Sequence, residues 1–296
     1  MAKPAFVTRF APSPTGLLHR GHAYSALTAF TAARAAGGAF LLRIEDIDTV
    51  RCQPRFEAEI IRDLTWLGIA WDGPILRQSE RMAAYEAALD RLRGLGVLYR
   101  CFRTRKDVLE EITRAPHDPS PALRPGPHPP DVEARRMAAG EPFAWRLSVD
   151  AALSRLGSRE LRFLEEGQGP NGETGVIQAR PELAGDVVLA RKAVGVSYHL
   201  AVVVDDAEQR VTDVLRGCDL FAAAHVQRLL QALLDLPTPR YRHHRLILRP
   251  DGKRLAKRDQ TETLADLRAR GVTAENVRAG LGFTGLARPA RPGCRA

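Results

Sequence analysis

A chain of 296 residues with 45% hydrophobic and 27% charged side chains is built to bury a core, which excludes a disordered or fibrous protein. No apolar run approaches the roughly 18 residues of a membrane span, and the Met-Ala-Lys-Pro start lacks the apolar core of a signal peptide, so no membrane role and a cytoplasmic setting are expected. The formal charge of +9 suits a polyanionic partner such as nucleic acid, but an Arg-rich solvated surface would give the same value.

Phe6–Phe10 reads as a strand. From it the segment Arg9 to His22, Arg-Phe-Ala-Pro-Ser-Pro-Thr-Gly-Leu-Leu-His-Arg-Gly-His, leads into a helical pattern over His22–Ala36. A tight turn there sets backbone N–H groups and two imidazoles at a helix N-terminus, where an anionic ligand such as a nucleotide triphosphate would sit. Gly37-Gly38 ends the helix, and Ala39–Ile44 is a mostly apolar strand of the buried parallel kind. It runs out into Arg43-Ile44-Glu45-Asp46-Ile47-Asp48. Strand exits are where α/β folds present ligand-binding side chains, although an ordinary polar loop would look the same. Residues 54–67 form an amphipathic helix through Phe56, Ile60, Ile61, Leu64 and Leu67. Ser79 caps another, with Glu80 in its first turn, that ends at Gly94 or Gly96. This alternation predicts a doubly wound, Rossmann-like α/β fold that binds ligands at its strand C-termini.

Seven prolines within residues 115–130 predict an irregular loop. Short strands are expected at Phe143–Val149, Glu160–Phe163, Asp186–Ala190 and Ser197–Val204. Residues 101–190 therefore read as an inserted α+β subdomain between 1–100 and 191–240, the two halves of the main domain. Leu220–Leu234 is a long helix stopped by Pro237. Residues 241–296 should carry an apolar strand at Leu246–Leu248, short helices at 261–270 and 273–281, and a mobile Pro/Arg-rich tail. Residues 240–258 hold eight Lys or Arg against the single acid Asp251. The turn Asp251-Gly-Lys-Arg-Leu-Ala-Lys-Arg258 offers cations that could close over a leaving pyrophosphate, or simply a basic surface loop. Cysteines at 52, 101, 218 and 294 show neither pairing nor CxxC spacing and are expected as free thiols.

In this order the segments resemble the class I aminoacyl-tRNA synthetases. Phe-Ala-Pro-Ser-Pro-Thr-Gly at 10–16, Arg-Ile-Glu-Asp-x-Asp at 43–48, Tyr198-His199-Leu200 before Val202–Asp206, and Leu-Arg-Gly-Cys-Asp-Leu at 215–220 look like the glutamyl branch, over about residues 5–270. The resemblance implies an ATP- and Mg2+-dependent activation of L-glutamate. It assigns Arg9, Ala11, Ser13, Glu45, Tyr198 and Arg216 to glutamate, and Pro12, His19, Gly21, His22 and Lys257 to ATP, with His19, His22 and Lys257 as the catalytic groups.

Only 38 residues follow Arg258, too few for an anticodon-binding domain. Within the family this resembles the branch that glutamylates the queuosine base of tRNA(Asp), and a monomer is expected. Arg20 stands where the family motif is usually apolar, and Ala256 removes a hydroxyl often present beside the lysine. Of the zinc ligands that relatives often carry, only Cys101 is present. His117 and His128 flank the Pro-rich loop but do not complete four ligands, so structural zinc is expected to be absent. The alternatives are a truncated glutamyl-tRNA synthetase charging tRNA(Glu), a non-catalytic RNA-binding relative, and a small-metabolite nucleotidyltransferase.

Overall fold

A computed structural model describes residues 5–103, 124–157, 160–191, 195–247 and 262–284. In chain order the elements are β1 (Val7–Phe10), α1 (Arg20–Ala35), β2 (Ala39–Ile44), α2 (Pro54–Trp66), β3 (Leu76–Arg77), α3 (Met82–Gly94), β4 (Leu98–Cys101), α4 (Pro130–Ala138) and β5 (Ala144–Leu147). There follow α5 (Val149–Leu156), β6 (Arg162–Glu165), β7 (Gly175–Gln178), β8 (Val188–Arg191), β9 (Gly195–Val196), α6 (Tyr198–Glu208), β10 (Asp213–Gly217), α7 (Phe221–Leu233), β11 (Arg240–His244), α8 (Leu264–Ala269) and α9 (Ala274–Gly280).

Helix α1 shows why the start of the chain folds as it does. Ala23, Ala26, Leu27, Phe30 and Ala33 recur at helical spacing and are buried. Gly37 then takes a positive φ of 62°, which ends the helix at little steric cost. At Gly38 a Cβ would lie 2.1 Å from the Phe6 carbonyl oxygen, so only glycine lets β2 start beside β1.

β1, β2 and β3 form a parallel sheet in that order. A second sheet runs β10-β11-β6-β7, with β10, β11 and β6 parallel and β7 antiparallel at the edge. The two meet at β1 and β10, where the Thr212 N–H donates to the Val7 carbonyl at 2.9 Å and the Val7 N–H to Thr212 Oγ1 at 2.9 Å. Strand order reverses there. Open α/β sheets bind ligands at such a switch point, beyond the strand C-termini. A third, antiparallel sheet runs β4-β5-β8-β9.

One core packs α1, α2, α8 and α9 on β2 through Leu27, Phe40, Leu64, Leu264 and Val277. The other gathers α3, α6 and α7 around Tyr85, Leu200, Val203, Leu229 and Tyr241.

Three expectations are corrected. Ser197–Val204 is not a strand; the run of valines lies in helix α6, buried against α3 and α7, and tertiary packing overrides the strand preference of β-branched residues. Ser79 does not cap a helix; it sits in a short 3-10 turn (Gln78–Arg81) and its hydroxyl donates to Asp46 at 2.6 Å, so α3 starts at Met82. Leu246 and Ile247 belong to no strand. Helices α4 and α5 and strands β3, β4, β7, β9 and β10 were not foreseen, and the segment expected as a strand to Val149 turns at Ser148, whose side chain caps α5. The Pro-rich stretch up to 123, the cationic turn 251–258 and the tail from 285 lie outside the described residues.

Candidate active site

The turn between β1 and α1 is closed by its own histidines. His19 is the N-cap of α1: its Nδ1 accepts the Gly21 N–H at 3.1 Å, while His22 Nδ1 accepts the His19 N–H at 3.2 Å. This is a capping box built from imidazoles. Because both Nδ1 atoms accept from backbone, each ring in this arrangement carries its proton on Nε2, as a donor suited to an anion. The rings lie 3.8 Å apart between centroids. The C-terminal region braces the same turn: Leu264 N–H donates to the Leu18 carbonyl at 2.8 Å, and Arg20 faces Glu262 at 3.6 Å. Pro12 accepts the Glu45 N–H at 3.0 Å, tying the turn to the exit of β2.

Behind the turn lies a buried charge network. Arg9 donates from Nε and Nη2 to Asp206 at 2.9 and 3.4 Å, and Arg43 reaches the same carboxylate at 2.7 Å and Glu45 at 3.3 Å. Burial alone would lower the Arg43 pKa, but Asp206, Glu45 and Asp205 outweigh it and raise it. Burial pushes Asp206 up, and Arg9 and Arg43 reverse this and hold it below the ordinary carboxylate value. For Glu45 burial wins over Arg43 and Arg9, and its carboxyl is raised.

Arg216, at the end of β10, differs from Arg9. It is 6% exposed, and its Nε donates to His243 Nε2 at 2.9 Å, Nη1 to Gln227 Oε1 at 2.9 Å and Tyr198 OH at 3.3 Å, and Nη2 to the Leu220 carbonyl at 3.1 Å. All four acceptors are uncharged, and among the described residues no carboxylate pairs with this guanidinium. It is a buried cation placed to receive an anion. Its charge, after the effect of burial, depresses the neighbouring His199 imidazole to about 4.

The two histidines, Arg9, Glu45 and Arg216 line one cleft of about 1000 Å³, open mouth included. Of the residues expected for glutamate, the cleft collects Arg9, Ala11, Glu45, Tyr198 and Arg216; of those expected for ATP, it collects His19, Gly21 and His22. Ser13 lines an adjoining hollow that shares Glu45 and Tyr198. Pro12 borders neither, and Lys257 and Ala256 lie outside the described residues. Asp206, Gln227 and His243, which hold Arg9 and Arg216, were given no role from sequence; nor were Tyr24, Ser25 and His244, where Ser25 Oγ and His244 Nε2 meet at 2.9 Å in the cleft lining.

No group of three or more His, Cys, Asp or Glu among the described residues could hold a metal ion. Cys101 is buried, the His128 ring packs near Phe102, and His117 lies outside the described residues. No helix among the described residues is long and apolar enough to cross a membrane.

Residues 5–291 match the family model for tRNA synthetases class I (E and Q), catalytic domain. A Glutamyl-Q tRNA(Asp) synthetase of Rhodobacter capsulatus is 47% identical over 94% of this chain and 100% of its own length. One from Nocardia farcinica is 42% identical over 96% of this chain and 86% of its own. The crystal structure of a glutamate tRNA ligase from Elizabethkingia meningosepticum in complex with its amino acid matches with a TM-score of 0.76 at 26% identity, over 95% of this chain and 61% of that one.

Proposed function

The chain belongs to the family of class I glutamyl- and glutaminyl-tRNA synthetase catalytic domains, and on that premise we propose that it activates L-glutamate with ATP and transfers the glutamyl group to the queuosine base in the anticodon of tRNA(Asp). The observation that carries the choice of glutamate is Arg216, a buried guanidinium whose partners among the described residues are all uncharged, in the same cleft as the two histidines of the α1 N-terminus. The choice of acceptor is supported by relatives of that name that match this chain along most or all of their length.

In the first step an α-carboxylate oxygen of glutamate attacks the α-phosphorus of ATP. The new O–P bond forms as the bond to the bridging oxygen breaks, and pyrophosphate leaves. A hydroxyl of the queuosine cyclopentenediol then attacks the activated acyl carbon, AMP leaves with the bonding pair, and the hydroxyl proton passes to solvent. The protein's part is positioning and charge stabilisation.

Arg216 and Tyr198 hold the side-chain carboxylate, and glutamine is rejected because it would leave Arg216 without a counter-charge. Arg9, fixed by Asp206, turns its remaining N–H groups to the α-carboxylate, with Ala11 and Ser13 along the turn. Glu45 accepts from the α-ammonium, whose positive charge opposes the burial that raises this carboxyl. The Nε2–H groups of His19 and His22 meet the ATP phosphates beside Pro12 and Gly21, and Lys257 stabilises the pentavalent phosphorus. Mg2+ bound with ATP would supply positive charge to offset that developing on the leaving pyrophosphate. The test is ATP–pyrophosphate exchange, run with and without tRNA: L-glutamate should drive it and L-glutamine should not.

A further inference from the structure

Glu165 touches no part of the proposed cleft, yet its residue is only 1% exposed and its carboxylate receives three N–H donors. Oε1 accepts from the His243 backbone at 2.9 Å and from the Gly167 backbone at 2.8 Å, and Oε2 meets His243 Nδ1 at 2.5 Å. Burial pushes this carboxyl up, but the bonds from His243 and Gly167 outweigh it and keep the group below its ordinary value. Strand β6 delivers it, with Glu165 in register with Tyr241 of β11. The next turn lies so close to β11 that a Cβ on Gly167 would come within 2.2 Å of the His243 carbonyl oxygen.

His243 stands between Glu165 and Arg216, stacked parallel to Tyr241 and edge-on to Phe221. A guanidinium N–H can only donate, so the ring nitrogen facing Arg216 at 2.9 Å is the lone-pair Nε2, and Nδ1 carries the proton given to Glu165. The opposite tautomer would set N–H against N–H.

We infer that Glu165 and His243 are positioning residues for glutamate recognition: the buried carboxylate fixes the His243 tautomer, and His243 in turn holds Arg216 by its Nε. The inference rests on the glutamate-activating reading above. The arrangement orients Arg216 without neutralising it. Among the described residues the negative charge nearest along this chain of bonds stands one imidazole away, which leaves the guanidinium to pair with the substrate carboxylate. A carboxylate placed directly against Arg216 would satisfy the site in advance.

In Glu165→Gln either orientation of the amide turns its NH2 toward at least one of the three donors, and the tautomer is no longer imposed from the Glu165 side. In pyrophosphate exchange the KM for glutamate should rise about tenfold or more, with the KM for ATP unchanged. His243→Gln, whose carbonyl oxygen can stand where Nε2 stood, should keep more glutamate affinity than His243→Asn, which cannot reach Arg216. Nitrogen-15 NMR of the unliganded wild type should show His243 protonated on Nδ1 and not on Nε2, a result that does not depend on activity. Equal rises in both KM values, equal loss in the two His243 variants, or an Nε2-protonated His243 would each overturn the inference. A wild-type protein that activates no glutamate would overturn the functional reading instead, and the NMR result would still decide the tautomer.

Discussion

Arg9 on β1 and Asp206 on α6 are joined by two hydrogen bonds, 2.9 Å from Nε and 3.4 Å from Nη2, with both residues buried. The same carboxylate takes Arg43 at 2.7 Å, so one acid fixes both Arg9, which lines the cleft, and Arg43 behind it. Asp206→Asn leaves two buried cations short of charge and should cost about 3–5 kcal/mol of stability, read as a lower urea midpoint. An unchanged midpoint would show that Glu45 and Asp205 suffice for both arginines.

Among the described residues Arg216 has no carboxylate partner, and its substitution should act on binding rather than on folding. Arg216→Gln is expected to weaken glutamate binding by about 2–5 kcal/mol, while the KM for ATP and the melting temperature stay near wild type. A rise in the ATP KM as large as that for glutamate would move Arg216 out of the amino-acid pocket.

His19 has two separable roles. Its Nδ1 caps α1, and its ring lines the cleft, where Nε2–H has the proposed role of a phosphate donor. Asparagine is a good N-cap but cannot place a donor at the Nε2 position, so His19→Asn should leave stability nearly intact. Pyrophosphate exchange should fall about 100-fold or more. Full exchange activity would leave His19 a cap and nothing else.

The sequence made the turn and the strand exits legible because their chemistry is local. A Gly-Gly break, a helix starting at paired histidines and an apolar strand ending in charges each declare themselves within a few residues. Ala39–Ile44 was read with its observed boundaries, and α2 to within one residue. What holds the site was not legible. Glu165 meets His243 from 78 residues away, and Arg9 meets Asp206 from 197. No local pattern marks a residue as the support for another. The valines of α6 misled for a related reason: Leu200, Ala201, Val202 and Val203 are buried in succession, and an apolar run without a polar interruption looks like a strand.

Asp63 on α2 provides a stability test that does not involve the cleft. Burial pushes its carboxyl up to about 6, even though Arg268 of α8 meets it at 3.0 Å, and Oδ2 has no hydrogen-bond partner among the described residues. An acid whose folded pKa lies above its unfolded value of 3.8 binds more protons in the folded state between the two. Its contribution to stability therefore falls as pH rises from about 4 to 6, by up to about 3 kcal/mol. Asp63→Asn does not titrate, and Glu59 still pairs with Arg268 at 2.7 Å. The stability of the variant relative to wild type should therefore grow over that window and level off above it. The opposite slope would mean that the Arg268 pair, and not burial, sets the Asp63 pKa.

The proposal that the glutamyl group goes to queuosine is tested most directly by transfer of radiolabelled L-glutamate with ATP. Three acceptors serve: tRNA(Asp) containing queuosine, the same tRNA with unmodified guanosine at that position, and tRNA(Glu). Label should appear on the queuosine-containing tRNA(Asp) alone and should survive removal of the 3′-terminal adenosine. Label on tRNA(Glu), lost when its 3′ end is removed, would contradict the account and identify a compact enzyme that charges tRNA(Glu).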